Sequence, residues 1–394
     1  MSSGLRSRRV AGQSSSGYDD EDDSSKPSTN GANSRSSTAD APPQPSYHAG
    51  GSAFEYSGGN RIAYDPRDLQ DAAGEEAKVG GKLPKLTLME EIMLLGVKDK
   101  QGYLSFWNDN ISYALRGCIL IELALRKRIA LVKDPNRRQF APAERLVEVI
   151  SDKQTGETLL DEALKLMRSQ QDVERFSVNT WIDLMSGETW NVMKIGFQLK
   201  QVRERLLKGL VDKGVLRTEK RNFLLFDMAT HPVSDMRVKE SIITRTVTLL
   251  TSTTSAIPPS ALDKEGIQCR VIRAVSLACS AYCASVLDNA FDRLGFEERE
   301  AAFGRCEEIL NEFIVWPFGG GSSSPFSPGG PSSRPRRQQA NRIAMGSAGE
   351  VSGRESVLGL VQEAKKEAKD GDEDLSFELV AGVLEVLSKM DSLL

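Results

Sequence analysis

The chain has 394 residues, a formal net charge of −4 and a sequence pI near 5.6. That length allows two or three domains, but the acidic balance excludes a general polyanion binder, so any affinity for phosphates has to come from a local basic face. Only two histidines occur, His48 and His231, and the five cysteines (Cys118, Cys269, Cys279, Cys283, Cys306) form no CxxC pair. A Ser-His-Asp or Cys-His arrangement and a His-based metal site therefore lack their raw material. No Walker loop, GxGxxG or HExxH string is present. The expectation is a non-enzyme with no cofactor and no metal, its thiols free and buried in a reducing compartment. No apolar run is long enough to span a bilayer and no hydrophobic signal region opens the chain, which predicts a soluble, cytosolic protein unless something recruits it.

Residues 1–82 are crowded with Ser, Gly, Pro, Asp and Glu. Such a segment cannot bury enough apolar surface to offset its ordering entropy, so it reads as a disordered tail. Residues 83–317 and 355–394 read as one folded domain, and residues 318–354, rich in Gly, Ser and Pro, as a disordered inserted loop. The cluster Arg334, Arg336 and Arg337 within that loop receives no role.

Within the domain, residues 86–95 read as a short helix, with Leu88, Ile92 and Leu95 at helical intervals. An extended piece through Tyr103 and Phe106 follows. Asn108 or Asp109 then stands where a cap belongs for a helix over 110–126. Ile119, Leu120, Leu123 and Leu125 make that helix apolar on more than one face, which predicts a central position. Residues 129–132 suggest a short strand, and helical periodicity resumes over 159–167 and 181–185. A basic helix is expected over 194–211, its stripe formed by Leu199, Val202, Leu206 and Leu210 and its end set by Gly214. Residues 215–216 and 224–228 look like two strands joined through 218–223. Residues 242–250, 271–287 and 375–387 are helical by period. The predicted class is mainly α, a single helical domain with a central bundle, surrounding amphipathic helices and small β-hairpins.

Two features bear on function. Lys200 and Arg203, three apart on the expected helix, share a face away from its apolar stripe, and Arg116 on another helix could converge with them. Cationic donors arriving from two elements suit a phosphate monoester, although exposed Lys and Arg on a solvated face are the ordinary case. Phe223, Leu224, Leu225 and Phe226 are four consecutive large apolar residues, where a half-buried strand would alternate. Such a tip packs on another subunit or enters a lipid interface. A competing reading is a winged-helix nucleic-acid-binding domain, with the 194–208 helix in a groove and the hairpin as its wing. The apolar tip and the acidic chain weigh against it.

Long strings carry a resemblance to a known family: LSFWND at 104–109, LRGC at 115–118, IELALR at 121–126, LLDEALK at 159–165, SGETWN at 186–191, VRERL at 202–206, and NFLLFDM at 222–228 with THP at 230–232. In these the chain resembles the Golgi phosphoprotein 3 family. The resemblance implies a helical domain that reads phosphatidylinositol 4-phosphate, with the headgroup site on Trp107, Arg116, Lys200 and Arg203. Trp107 taken alone reads as core packing. Some members have arginine where this chain has Lys200, which keeps the charge but gives up the planar fork. The resemblance also implies that the hairpin Phe223, Leu224, Leu225 and Phe226 serves membrane insertion or homo-oligomerisation. Arg6, Arg8 and Arg9 resemble the family's basic element that contacts coatomer, while a basic tail loosely drawn to lipid explains them equally well. The partners implied are coatomer and the cytosolic tails of Golgi glycosyltransferases, with no nucleic acid. The implied location is the cytoplasmic face of the Golgi membrane, with a cytosolic pool.

Overall fold

A computed structural model describes residues 82–104, 109–189, 191–223, 226–320, 347–368 and 374–390. Among them are ten α-helices: α1 (Leu88–Gly96), α2 (Asp109–Leu125), α3 (Thr158–Gln171), α4 (Val178–Ser186), α5 (Val202–Asp212), α6 (Met236–Thr251), α7 (Arg270–Cys283), α8 (Phe296–Phe313), α9 (Ser347–Glu367) and α10 (Leu375–Ser388). Two small antiparallel sheets complete the described fold, β1 (Ile129–Leu131) with β2 (Val147–Val149), and β3 (Glu219–Phe223) with β4 (Phe226–Thr230). The protein is mainly α, as its periodicity predicts.

The centre is built from helices that are apolar all round. Every residue of α1 is buried, as are nearly all of α2, α7 and α10. A helix of this kind gains its stability from contact on every side, so it has to lie inside the bundle. α10 packs along α2 and also touches α4, α7 and β1, while α1 contacts α2, α5, α6 and α7. The α2–α10 approach is close at Gly117, where an added Cβ would stand 3.0 Å from Val383.

Local sequence sets several helix ends. Thr87 accepts from the Glu90 amide while the Glu90 carboxylate accepts from the Thr87 amide, a reciprocal box that starts α1. Ser177 caps α4, and Gly187, at φ 86°, ends it in the left-handed conformation that glycine adopts without strain. One cluster of charges inside the bundle is closely matched. Arg273 grips Glu122 with two bonds of 2.9 and 3.0 Å, and Arg126 adds a third at 2.9 Å. Burial pushes the Glu122 carboxyl up, but Arg273 and Arg126 outweigh it and hold it at about 2.

Three expectations need correction. The basic helix over 194–211 is not continuous: Val192–Phe197 forms a 3-10 turn, Lys200 lies in a turn, and Gln201 takes φ 53° before α5 begins. Its apolar stripe survives, because Leu199, Val202, Leu206 and Leu210 are all buried. The break also removes the long basic helix on which the nucleic-acid reading rested. Second, the stretch 218–223 assigned to a connection is mostly strand. β3 and β4 pair from Glu219 with Thr230 to Phe223 with Phe226, leaving Leu224 and Leu225 between them. Asp227, Met228 and Ala229 are exposed in succession along β4, and Thr230 at its end is buried. Third, the described ends of the stretch 318–354 carry structure. Phe318 is buried against Phe313 and Trp316, and α9 starts at Ser347.

Trp107, Trp190, Leu224, Leu225, Arg6, Arg8, Arg9 and the cluster Arg334, Arg336 and Arg337 lie outside the described residues, as does Asn108. Cys118, Cys279, Cys283 and Cys306 are buried free thiols, and Cys269 is half-buried and free.

Candidate functional site: a buried arginine beside a basic turn

Arg116 comes from the middle of α2, and only 5% of its surface reaches solvent. Its guanidinium makes four hydrogen bonds, all to neutral acceptors, which leaves one of its five N–H donors without a bond among these. Nη1 donates to the Ser112 carbonyl at 2.9 Å and to Ser112 Oγ at 2.7 Å. Nε donates to the Met185 carbonyl at 3.3 Å, and Nη2 to the Leu199 carbonyl at 2.8 Å. The two distant carbonyls belong to the last turn of α4 and to the residue before Lys200. One side chain thus ties α2, α4 and the 199–201 turn together, a task that the planar fork of arginine suits and an ammonium does not.

The turn has other tethers. The Leu199 amide donates to the Met185 carbonyl at 3.0 Å, and Gln198 Nε2 donates to the Ser186 carbonyl at 3.4 Å. Gln198 lies against Gly187 so closely that a Cβ there would stand 2.3 Å from it. Phe197 packs edge-on against Phe176 and Trp181. Trp181 is buried in the core.

Electrostatically the site is unusual for a buried cation. Among the described residues no carboxylate comes within ion-pair distance of Arg116. Burial, then the nearby positive charge of Arg203, lowers its pKa to about 10, with Glu204 and Glu188 acting in the opposite sense. It remains charged at neutral pH. Arg203 sits half-buried in the first turn of α5, and Lys200 is exposed two residues before that helix. Gln201, at the start of α5, makes no side-chain capping bond, so the first amides of α5 lie beside these cations without that cap. Amides at a helix start and clustered cations favour the same kind of ligand, an anion.

The structure thus brings Arg116 and Arg203 near one another and places Lys200 next to the carbonyl that Arg116 holds. Lys200 and Arg203 do not share a helix face as expected; the left-handed Gln201 separates them. Sequence reading missed the acceptors of Arg116, because Ser112, Met185 and Leu199 carry no motif. It also missed the exposed apolar run Val192, Met193 and Ile195. The one signal there was Asn191 and Gly196 bracketing apolar residues that follow no 3.6 period.

The sequence finds its counterpart in known proteins. The model of the family described as Golgi phosphoprotein 3 matches residues 88–319. The chain belongs to the Golgi phosphoprotein 3 family. It is 50% identical over 339 residues to vacuolar protein sorting-associated protein 74 of Schizosaccharomyces pombe, covering 86% of this chain and 90% of the relative. Against the protein of the same name from Eremothecium gossypii it is 45% identical over 335 residues, 85% of this chain and 90% of that one. Membership of the Golgi phosphoprotein 3 family makes this a Golgi-associated protein of the sorting type. Among the described residues no helix is long and apolar enough to cross a membrane, and no group of three or more His, Cys, Asp or Glu is placed to hold a metal ion.

Proposed function

We propose that the protein is a peripheral adaptor on the cytoplasmic face of Golgi membranes, in exchange with a cytosolic pool. In this reading it binds phosphatidylinositol 4-phosphate through Trp107, Arg116, Lys200 and Arg203. It links the cytosolic tails of glycosyltransferases to coatomer for retention and retrograde sorting, without catalysis. Coatomer contact falls to Arg6, Arg8 and Arg9, and the β3–β4 tip aids insertion or self-association.

The observation that carries the headgroup reading is the state of Arg116. It is buried and charged, has no carboxylate in reach among the described residues, and lies near a second arginine. A buried cation costs several kcal/mol unless an anion compensates it. A phosphate monoester, with nearly two negative charges and three acceptor oxygens, supplies that compensation from the ligand side. Lys200, exposed on the adjoining turn, supplies a further cation to it.

The test is sedimentation with vesicles carrying a panel of phosphoinositides. The expected result is selective binding to vesicles with phosphatidylinositol 4-phosphate, lost in Arg203→Ala with an unchanged melting temperature. Full binding by that variant would place the headgroup elsewhere.

A further inference from the structure

The 3-10 turn Val192–Phe197 runs directly into the basic turn, and its outer edge is bare hydrocarbon. Met193 is 87% exposed, Val192 76% and Ile195 47%. Side chains three apart on a 3-10 turn eclipse one another, so Val192 and Ile195 lie on one edge with Met193 between them in sequence. The inner side is held firmly: Phe197 packs on Phe176 and Trp181, and Lys194 lies 4.2 Å from the centre of the Phe176 ring while pairing with Glu174 at 3.3 Å. Asn191 caps the turn by accepting from the Met193 amide at 3.0 Å. The apolar edge is therefore displayed by a fixed scaffold, where refolding inward would break these contacts.

We infer that Val192, Met193 and Ile195 form a second membrane-inserting element, which enters the lipid interface while the adjoining basic turn holds an anionic headgroup. The inference rests on the headgroup reading above and adds to it a lipid-facing surface separate from the β3–β4 hairpin. Three arguments select a bilayer as the occupant. Lys200 stands five positions after Ile195, a reach of at most about 17 Å, so the apolar edge and the cations lie close enough to meet one surface. Lys200 and Arg203 complement an anionic surface and repel a basic one. A specific protein interface needs roughly 800 Å² on each partner, which three side chains on one turn do not supply. A small apolar prow beside cations meets the requirement of a lipid interface, which demands no matching shape.

The test uses the full-length protein and the triple variant Val192→Ser, Met193→Ser, Ile195→Ser. Two probes are measured, vesicles of phosphatidylcholine and phosphatidylserine with or without phosphatidylinositol 4-phosphate, and soluble glycerophosphoinositol 4-phosphate. The expected result is at least a tenfold loss of vesicle affinity, equivalent to about 1.4 kcal/mol, with affinity for the soluble headgroup unchanged. The single variant Met193→Asp, at the most exposed position, is expected to show the same split and guards against misfolding of the triple variant. Vesicle binding within twofold of wild type in both variants overturns the inference and leaves the headgroup reading standing. Equal loss towards vesicles and soluble headgroup also overturns it, because the turn would then act on the site. If wild type binds vesicles equally with and without the phosphoinositide while the variants do not, insertion stands and the headgroup reading falls. If wild type ignores all vesicles, both fall.

Discussion

Arg116 reaches the Leu199 carbonyl at 2.8 Å, a contact between residues 83 positions apart that fixes the turn carrying Lys200. The same side chain is both the buried charge of the candidate site and the bracket that holds the turn bearing Lys200. Stability and binding are therefore joined at Arg116 and separable at Lys200 and Arg203.

Replacing Arg116 by lysine keeps the charge but cannot reproduce donors to Ser112, Met185 and Leu199 together. Hydrogen bonds to a charged group contribute about 1.5–3 kcal/mol each, so a loss of about 2 kcal/mol in unfolding free energy is expected, with weaker vesicle binding. Lys200→Ala, at an exposed turn, is expected to weaken vesicle binding with a change in stability of less than about 0.5 kcal/mol. Chemical denaturation run alongside vesicle sedimentation separates the two.

The Glu122 network offers a pH test. The carboxyl is held at about 2 against an ordinary 4.5, so its contribution is fully present above pH 4.5 and disappears as pH falls through 2. A shift of this size corresponds to roughly 3 kcal/mol. Glu122→Gln leaves Arg126 and Arg273 buried without their shared partner, at a cost of about 3–5 kcal/mol at neutral pH. The stability gap between wild type and variant should narrow as pH is lowered from 5 towards 2. A gap that stays constant over that range would show that the carboxylate's charge is not what stabilises this junction.

Gly382 lies on α10 where an added Cβ would stand 2.6 Å from the Pro142 carbonyl. Backbone cannot yield as a side chain can. Gly382→Ala is therefore expected to destabilise the domain by about 1–3 kcal/mol, despite alanine's better helix propensity. Thermal melting of this variant beside Gly304→Ala, where a Cβ meets open space, is the comparison.

The hairpin makes the opposite prediction. Asp227, Met228 and Ala229 of β4 are exposed and the strands close on the Phe223–Phe226 pair. Leu224→Ser with Leu225→Ser should leave the melting temperature nearly unchanged while reducing vesicle retention or self-association. Sedimentation velocity and vesicle binding read these two outcomes, and no change in either would remove the hairpin from the mechanism.

Periodicity alone located α1, α2, α3, α4, α6, α7 and α10, since an apolar stripe is a local pattern that survives whatever surrounds it. It failed at 194–201 for a local reason of another kind. The stripe through Leu199 continues in step with α5, but Gln201 adopts a left-handed backbone that no propensity signals, because the tethers on Leu199 and Gln198 impose it from outside. The hairpin strands were displaced in the reading for a related reason. Glu219 to Asn222 are all polar, so they look like a loop until their pairing with β4 is seen.

Residue order by itself determined the helical class, the membership of the central helices in the core and the candidacy of Arg116, Lys200 and Arg203. Each of these follows from side-chain chemistry or spacing within a few turns of chain. Tertiary structure alone decided that Arg116 is buried without a carboxylate in reach among the described residues, that Lys200 stands on a turn, and that Val192, Met193 and Ile195 face outward. Those properties depend on carbonyls brought from 69 and 83 residues away and on the rings of Phe176 and Trp181 packed behind the 3-10 turn, and burial and charge balance are sums over such neighbours.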